Sequence, residues 1–314
     1  MIPKFAVFTG SCLSLPAIHF LQQEDALGCV VLVDAQPNPD LQQLQLWLEQ
    51  NNITTLSYSH QASDSMLAEF DKLQINHGLV YFFRHKIQSQ LINYFNGDLV
   101  NIHPSPLPEY RGPQPIYWQL RNGEITTKLT LHKVVEELDS GDVGLDIAID
   151  IHPFDTSKCL FQKVSQALPS LVSQYYQGIL EGNLRWQEQV GKGINRAPNL
   201  QQSDLMINWA EHSATDIVNM ARAGNTESYS AYFEFRQDVF QVLQATKVQS
   251  QLRGIRAGTI IELEQKAGLV VKTIDGAVRL DLVACQQGAF DGYRVAILFA
   301  LDPGLDLTNY NNVV

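Results

Sequence analysis

Asn101 and His103 are an amide and an imidazole placed two residues apart, at the end of an apolar segment of strand length, 99–102. Side chains two positions apart on a strand point to the same face, so we expect both to reach one site. Attack of an amine on an acyl carbonyl develops an oxyanion, which needs a positioned donor such as the Asn101 NH₂ group. The amine must also lose a proton, which His103 can accept near neutral pH. The pair therefore predicts acyl transfer to an amine.

A carboxylate follows the next strand candidate, 128–135, in the acidic segment 136–142. Asp139 is our candidate to orient the His103 imidazole and to favour its charged form. Asp142 is the alternative, although a carboxylate that follows Gly141 can simply cap a turn. Sequence spacing by itself does not establish which carboxylate contacts the imidazole.

The elements that must position these residues alternate between strand and helix patterns in the first half of the chain. Apolar runs buried on both faces and separated by helices of about ten residues predict an α/β fold with a doubly wound, mostly parallel sheet. In such sheets ligands lie beyond the carboxyl ends of the strands, here after residues 8, 83 and 102. The strand candidates are 4–8, 28–33, 54–57, 78–83 and 99–102, and the helix candidates are 15–22, 41–50 and 66–74.

The pattern changes in the second half of the chain. A long amphipathic helix is predicted over 157–182, and residues 191–204 have the composition of a connector. Beyond it, after a helix candidate at 214–223, come short β-branched segments and a favoured hairpin turn at Asp275-Gly276. We therefore predict a catalytic domain at 1–190, a linker at 191–204, and a small antiparallel barrel or sheet at 205–314. Its strand candidates are 239–248, 258–264, 269–274 and 278–284.

The charge distribution argues against a nucleic-acid partner. The net charge is −11, and residues 5–71 hold eight acidic side chains and no lysine or arginine. Binding to nucleic acid depends on cations laid along phosphates, which this stretch does not supply. No apolar run has the length of a membrane span, and the first residues lack a signal-peptide pattern, so we expect a cytoplasmic protein with no membrane partner. The four cysteines are scattered, and no metal site is expected.

The run NIHPSPLPEYRGPQPIYWQLRNGE, followed by ELDSGDV, resembles the signature of the 10-formyltetrahydrofolate-dependent formyltransferases. This family includes methionyl-tRNA, glycinamide ribonucleotide and amino-sugar formyltransferases. The interval of 36 residues between His103 and Asp139 also matches the family. The resemblance covers nearly the whole chain, because residues from Asn208 onward look like the C-terminal, OB-like barrel of the methionyl-tRNA and sugar subgroups. It implies a Rossmann-like catalytic domain, 10-formyltetrahydrofolate as donor, no metal, and Asn101, His103 and Asp139 as the catalytic residues.

The same resemblance implies where the folate and the acceptor bind. The pterin should lie between the segments 82–87 and 134–139, held mostly by backbone groups. Arg111 can contact an anionic group of the acceptor, since guanidinium suits phosphate or carboxylate. The folate-binding candidates are Phe82, Phe83, Arg84, His85, Ile87, Val134, Val135 and Leu138, and the substrate-binding candidates are Ser105, Arg111, Gly10 and Ser11.

Three departures bear on the acceptor. The segment FFRHKI at 82–87 is closer to the Tyr-Tyr-Arg-His run of UDP-4-amino-arabinose formyltransferases than to the Ala-Tyr-Gly run of the methionyl-tRNA enzymes. Residues 34–52 lack the basic insertion of the tRNA enzymes, and residues 222–229 lack the prolines of a motif found in relatives. We expect a small amine acceptor, a nucleotide-linked amino sugar, with a homodimer left open. Two alternatives remain: a methionyl-tRNA formyltransferase, and a catalytically silent relative that binds folate or a nucleotide sugar.

Overall fold

The computed structural model of the protein describes residues 2–33, 38–59, 63–191, 193, 195–225, 229–250 and 252–308. Parts of several sequence-based predictions lie outside the described residues. They include residues 192 and 194 of the connector, 226–228 of the segment without prolines, 34–37 and 60–62 of the stretch without cations, and 251 and 309–314 of the C-terminal domain.

The chain divides into two units that are not simply successive in sequence. The first comprises Met1–Pro115, Thr126–Asp150 and Phe161–Pro198, and the second comprises Ile116–Ile125, Ile151–Leu160 and Asn199–Val314. The boundaries inferred from sequence, 1–190, 191–204 and 205–314, stay predictions.

A seven-stranded sheet forms the first unit. Its strands are β1 (Phe5–Thr9), β2 (Leu27–Val33), β3 (Thr55–Tyr58), β4 (His77–Val80), β5 (Leu99–His103), β6 (Thr126–Lys133) and β7 (Val143–Asp150). Their order is β3-β2-β1-β4-β5-β6-β7, with β1 to β5 parallel and β6 antiparallel to both β5 and β7. The predicted mostly parallel, Rossmann-like α/β sheet is confirmed.

Apolar residues explain the central position of β1, since all five of its residues are buried. The helices up to residue 181 are α1 (Leu15–Gln23), α2 (Pro39–Gln50), α3 (Ser63–Lys72), α4 (Ser89–Phe95), α5 (Pro115–Arg121) and α6 (Ser157–Glu181), of which most of α5 and the first turn of α6 belong to the second unit. Helix α2 begins at a proline, and Asn38 accepts a hydrogen bond from Leu41 N, a common helix start. Phe8 of β1 packs edge-on against Phe70 and Phe95 of α3 and α4, so aromatic side chains fix these helices on the sheet.

An antiparallel sheet and two covering helices form most of the second unit. Its elements are α7 (Gln202–Leu205), α8 (Ala214–Gly224), β8 (Ala231–Phe235), β9 (Asp238–Val248), β10 (Ile260–Glu264), β11 (Gly268–Lys272), β12 (Ala277–Cys285), β13 (Gly288–Phe290) and α9 (Gly292–Phe299). The strand order is β10-β11-β12-β9-β8, and β13 pairs with β12.

The expected closed, OB-like barrel is not confirmed, because β8 and β10 are not paired with each other among the described residues. Helices bury the apolar face instead. Ile217 and Met220 of α8 and Val295 and Ala296 of α9 belong to the same buried cluster as the strand residues. An open sheet covered in this way has a core without closing on itself.

Within the described residues, none of the helices combines the length and the apolar composition that crossing a membrane requires.

Candidate active site

Strand β5 carries Asn101 and His103, and its neighbour β6 places His132 directly opposite Asn101 in the antiparallel register. Asp139 lies in the loop between β6 and β7. Its Oδ1 is 3.4 Å from Asn101 Nδ2, and its Oδ2 is 3.7 Å from His103 Nδ1. The structure therefore brings together the three residues that the sequence singled out and adds His132 to them.

The side-chain nitrogen of Asn101 donates to two neighbours. It lies 3.0 Å from His132 Nε2 and, at the longer distance of 3.4 Å, from Asp139 Oδ1. His132 Nδ1 lies 2.8 Å from Lys133 O, and since a carbonyl only accepts, Nδ1 carries the proton and Nε2 is left to accept. This series of bonds assigns the orientation of the Asn101 amide, because its oxygen would face two other acceptors if it were flipped.

The His103 imidazole is oriented by a backbone carbonyl. Its Nε2 lies 2.9 Å from Tyr110 O, so Nε2 carries a proton and Nδ1 faces Asp139 with a lone pair. Burial lowers the pKa of His103, and the Asp139 carboxylate and the Tyr110 carbonyl, which raise it, offset only part of this effect. The ring is only 5% exposed. His103 is therefore a neutral imidazole at pH 7 whose Nδ1 can accept a proton.

Asp139 is a buried carboxylate in an uncommon backbone conformation. Its φ is +55°, in the left-handed region that a non-glycine residue seldom adopts. Gly112 N donates to its Oδ2 at 2.9 Å. Burial alone would raise the pKa of Asp139, but the positive charges that His103 and His132 carry when protonated, and the hydrogen bond from Gly112, bring it down to about 2. The group is thus ionised throughout the physiological range.

Two glycines are required for the backbone to close around Asp139. A Cβ at Gly141 would lie 2.0 Å from Lys133 O. Gly112 has a φ of +127°, and a Cβ there would lie 2.5 Å from Ala197 O. A side chain at either position would displace the carboxylate or its backbone donor.

The predicted substrate-binding residues are placed as follows. Arg111 is buried, and its Nε and Nη2 donate to Gln189 Oε1 at 3.0 and 2.6 Å. Ser105 is also buried and donates to Glu109 O at 2.7 Å, so it holds the proline-rich loop. The residues after β1 are tied into turns as well. Ser11 Oγ accepts from Leu13 N at 3.2 Å, and Gly10 N donates to Phe82 O at 3.1 Å.

The two segments predicted to enclose the folate pterin, 82–87 and 134–139, lie against each other. Ser89, which follows the first segment, donates to Glu136 Oε1 of the second at 2.7 Å. One apolar cluster contains side chains from both segments, namely Phe83, Ile87 and Val134.

Two aliphatic side chains of the second segment, 134–139, are exposed to solvent. Val135 is 41% and Leu138 64% exposed, although both are aliphatic. Arg84 is exposed and His85 half-buried, with its ring stacked on Tyr58. The two segments thus present exposed aliphatic and basic side chains, a combination of apolar and polar groups that suits a flat heterocycle such as a pterin.

Two residues that sequence reasoning did not select belong to the site. His132 could have been found from the register, because an antiparallel neighbour of β5 with the pattern Thr-Leu-His places the histidine on the face of Asn101. Gln189 had no such signal, since it is one of many dispersed glutamines. Its Nε2 donates to Asp139 O at 2.9 Å and to Gly141 O at 2.7 Å.

In the part of the chain that the structure describes, no group of three or more histidine, cysteine or acidic side chains is arranged to hold a metal ion.

The comparison with protein families gives the class of protein to which this fold and this polar cluster belong. The family described as formyl transferase matches residues 4–175, and the formyl transferase C-terminal domain matches residues 199–289. The chain belongs to the formyl transferase family. It is an enzyme that takes a formyl group from 10-formyltetrahydrofolate.

Relatives with assigned functions include two methionyl-tRNA formyltransferases. The one from Sulfurihydrogenibium sp. is 28% identical over 240 residues, which cover 74% of this chain and 76% of that protein. The one from Coprothermobacter proteolyticus is 30% identical over 236 residues, covering 70% of this chain and 73% of that protein.

Solved structures share the fold at lower identity. The N-formyltransferase from Helicobacter canadensis, in complex with folinic acid and dTDP-3-aminofucose, has a TM-score of 0.67 at 16% identity, covering 88% of this chain and 98% of that one. HypX from Aquifex aeolicus, in complex with tetrahydrofolic acid, has a TM-score of 0.59 at 16% identity, with 94% of this chain covered. The chain spans about half the length of HypX, 47%.

Proposed function

We propose that the protein transfers the formyl group of 10-formyltetrahydrofolate to the amino group of a small anionic acceptor, a nucleotide-linked amino sugar. The observation that carries this choice is the small number of cations near the site that are not already engaged. Six basic residues flank the catalytic motifs in sequence: Arg84, Lys86, Arg111, Arg121, Lys128 and Lys133.

Four of these six cations have partners within the protein. Arg111 donates to Gln189, Arg121 pairs with Asp216 at 3.4 Å, Lys128 pairs with Asp146 at 3.0 Å, and the Lys133 ammonium lies 4.9 Å from the centre of the Trp186 ring. Within the described residues, the exposed side chains of Arg84 and Lys86 form neither ion pairs nor hydrogen bonds. Two such cations suit the one or two phosphates of a nucleotide far better than a polynucleotide.

The proposed reaction begins with the acceptor amine and the formyl carbon. The amine nitrogen attacks this carbon, and the negative charge that develops on the formyl oxygen receives a hydrogen bond from Asn101 Nδ2. The bond from Asn101 to Asp139 is the longer of its two, so it is the one that Asn101 gives up, while the bond to His132 keeps the amide in place.

His103 moves the proton. The amine gives a proton to His103 Nδ1, the ring nitrogen left with a lone pair, and Asp139 Oδ2 stabilises the resulting imidazolium. The bond between the formyl carbon and the folate nitrogen then breaks, and His103 returns the proton to that nitrogen. Atoms and charges balance, because a formamide and tetrahydrofolate are the products and His103 is again neutral.

Methionyl-tRNA is the second candidate acceptor, since relatives at 28 and 30% identity are methionyl-tRNA formyltransferases. The charge distribution opposes it. Residues 5–71 hold no cation, and from residue 205 onward there are nine Lys and Arg against twelve Asp and Glu. The solved structures favour the first candidate, since the Helicobacter canadensis enzyme was crystallised with dTDP-3-aminofucose. A catalytically silent relative is opposed by the presence of Asn101, His103 and Asp139 in one cluster.

The test is a direct assay of acceptors. The protein is incubated with 10-formyltetrahydrofolate and, separately, with dTDP- and UDP-linked amino sugars and with methionyl-tRNA, and the formylated products are identified by mass spectrometry. We expect a formylated amino sugar from the wild type and an initial rate lower by about 10²-fold or more from a His103→Asn control. Formylation of methionyl-tRNA alone would establish the second candidate, and formylation of no amine would favour the silent relative.

A further inference from the structure

Gln189 connects the proline-rich loop after β5 to the loop that carries Asp139. On one side its Oε1 accepts from Arg111 Nε at 3.0 Å and from Nη2 at 2.6 Å. On the other side its Nε2 donates to Asp139 O at 2.9 Å and to Gly141 O at 2.7 Å. All four bonds join parts of the first unit that are far apart in sequence.

The orientation of the Gln189 amide follows from the chemistry of its partners. A guanidinium only donates and a backbone carbonyl only accepts, so the oxygen must face Arg111 and the nitrogen must face Asp139 and Gly141. Both hydrogens of the nitrogen and both lone pairs of the oxygen are used. Arg111 is itself buried, and Ala197 N donates to its carbonyl at 3.0 Å. The backbone from which the guanidinium reaches Gln189 is therefore held in place.

Asp139 needs such support because its backbone is in the left-handed region, with φ at +55°. A non-glycine residue held there is under strain and stays only if its surroundings determine its position. Gly112 N holds the carboxylate, and Gln189 holds the carbonyl of the same residue. Arg111 and Gly112 are adjacent, so one short segment holds Asp139 at two points. Gly112 binds the carboxylate directly, and Arg111 binds the Gln189 side chain that holds the Asp139 carbonyl.

We propose that Gln189, anchored by Arg111, is a positioning residue that holds Asp139 at the distance from His103 that catalysis requires. This inference rests on the proposed role of Asp139. It gives Arg111 a different function from the one that the sequence suggested, because a guanidinium whose Nε and Nη2 are bound to Gln189 serves the catalytic loop and not the anionic acceptor.

Variants of Gln189 and Arg111 distinguish support of the Asp139 loop from binding of the anionic acceptor. Gln189→Met removes all four bonds at nearly constant volume. Gln189→Glu keeps acceptors for Arg111 but offers none of the donors that the carbonyls of Asp139 and Gly141 need. Gln187→Met is the matched control, since Gln187 is an exposed side chain two residues away on the same segment. Circular dichroism and thermal melting identify any variant that fails to fold.

The kinetic signature is a loss of kcat without a loss of binding. We expect Gln189→Met and Gln189→Glu to lower kcat by about 10- to 100-fold with KM for donor and acceptor nearly unchanged, and Gln187→Met to be normal. Arg111→Ala should likewise lower kcat more than it raises the KM of the acceptor. A large rise in acceptor KM for Arg111→Ala, with kcat retained, would overturn the inference.

A double-mutant cycle with Asp139→Asn decides whether Gln189 acts through Asp139. If it does, Gln189→Met has an effect of at most about twofold in the Asp139→Asn background. Full additivity, or a Gln189→Met variant as active as wild type, would overturn the inference while leaving the proposed function intact. An Asp139→Asn variant with normal turnover would instead remove the proposed role of Asp139, and with it the role of Gln189.

Discussion

Asn101 and His132 face each other across two antiparallel strands, and the Asn101 side chain donates to His132 Nε2 at 3.0 Å. His132 is buried, and its Nδ1 proton is held by Lys133 O at 2.8 Å. The ring therefore has one fixed tautomer and a single acceptor, which it offers to Asn101. The donor proposed for the oxyanion is thus held by a neighbouring strand of the sheet, in addition to its longer bond to Asp139 in the loop.

Replacement of His132 should reduce turnover through Asn101. His132→Phe fills the space but offers no acceptor, and we expect kcat to fall by about tenfold or more as the Asn101 amide loses its orientation. His132→Gln can still accept through its side-chain oxygen and should retain more activity. Steady-state kinetics with both variants make the comparison, and equal activities would contradict a hydrogen-bonding role.

Loss of the acid–base group or of the oxyanion donor should lower turnover strongly. His103→Asn and Asn101→Ala should each reduce kcat by about 10²-fold or more, because each removes an interaction made in the transition state. Folate should still bind, since neither side chain belongs to the two segments that we assign to the pterin. Isothermal titration with tetrahydrofolate measures the binding. Turnover within about tenfold of wild type for both variants would remove the proposed mechanism.

Asp139→Asn should impair the enzyme more than Asp142→Asn and should also move its pH dependence. Catalysis needs neutral His103, so the rate rises as pH rises through the pKa of His103, which burial places below its usual value of about 6.5. The Asp139 carboxylate raises this pKa. Its removal should therefore shift the acidic limb of the pH–rate profile to lower pH, as well as lowering the plateau.

Asp142→Asn serves as the control for this prediction. Asp142 contributes its backbone carbonyl to Lys133 N at 2.9 Å, a bond that asparagine keeps. Its profile should therefore superimpose on that of the wild type. A larger defect at Asp142, or an acidic limb that moves to higher pH in Asp139→Asn, would show that the carboxylate was assigned incorrectly.

The parallel sheet could be predicted because its strands carry a strong local signal. The residues of β1 and most of β2 are buried, so both appear in the sequence as continuous apolar runs. Strand β7 carries no such signal, because most of its residues are partly or fully exposed at the edge of the sheet, and it was not predicted. Of the C-terminal strands, β9 to β12 were predicted singly and β8 and β13 were not, and the barrel that the strands were expected to close is absent among the described residues. Pairing of distant edges has no local signature in sequence.

In the candidate site too, residues with a local sequence signal could be predicted and contacts between distant segments could not. Asn101 and His103 could be selected from alternation along a single strand, and Asp139 from its place in a family motif. Their distances depend on the loop between β6 and β7, which is held by Gln189, 50 residues further along the chain. Nothing distinguishes that glutamine from its neighbours in sequence. The sequence likewise gives no sign that Arg111 is bound to Gln189, so its predicted contact with the acceptor was made without knowledge of this partner.

The identity of the acceptor predicts how the enzyme responds to salt. A protein that grips tRNA neutralises several phosphates, and its affinity falls steeply as the salt concentration rises. Among the described residues, the exposed cations close in sequence to the motifs are Arg84 and Lys86, and residues 5–71 supply none. We therefore expect no micromolar binding of initiator tRNA at about 150 mM salt in filter-binding or fluorescence titrations.

For a nucleotide-linked amino sugar, kcat/KM should depend only weakly on salt, because one or two phosphates release few counterions. The same assay with methionyl-tRNA is the comparison, and a known methionyl-tRNA formyltransferase is the positive control. Efficient formylation of methionyl-tRNA, with a rate that falls severalfold between about 50 and 200 mM salt, would overturn the amino-sugar proposal.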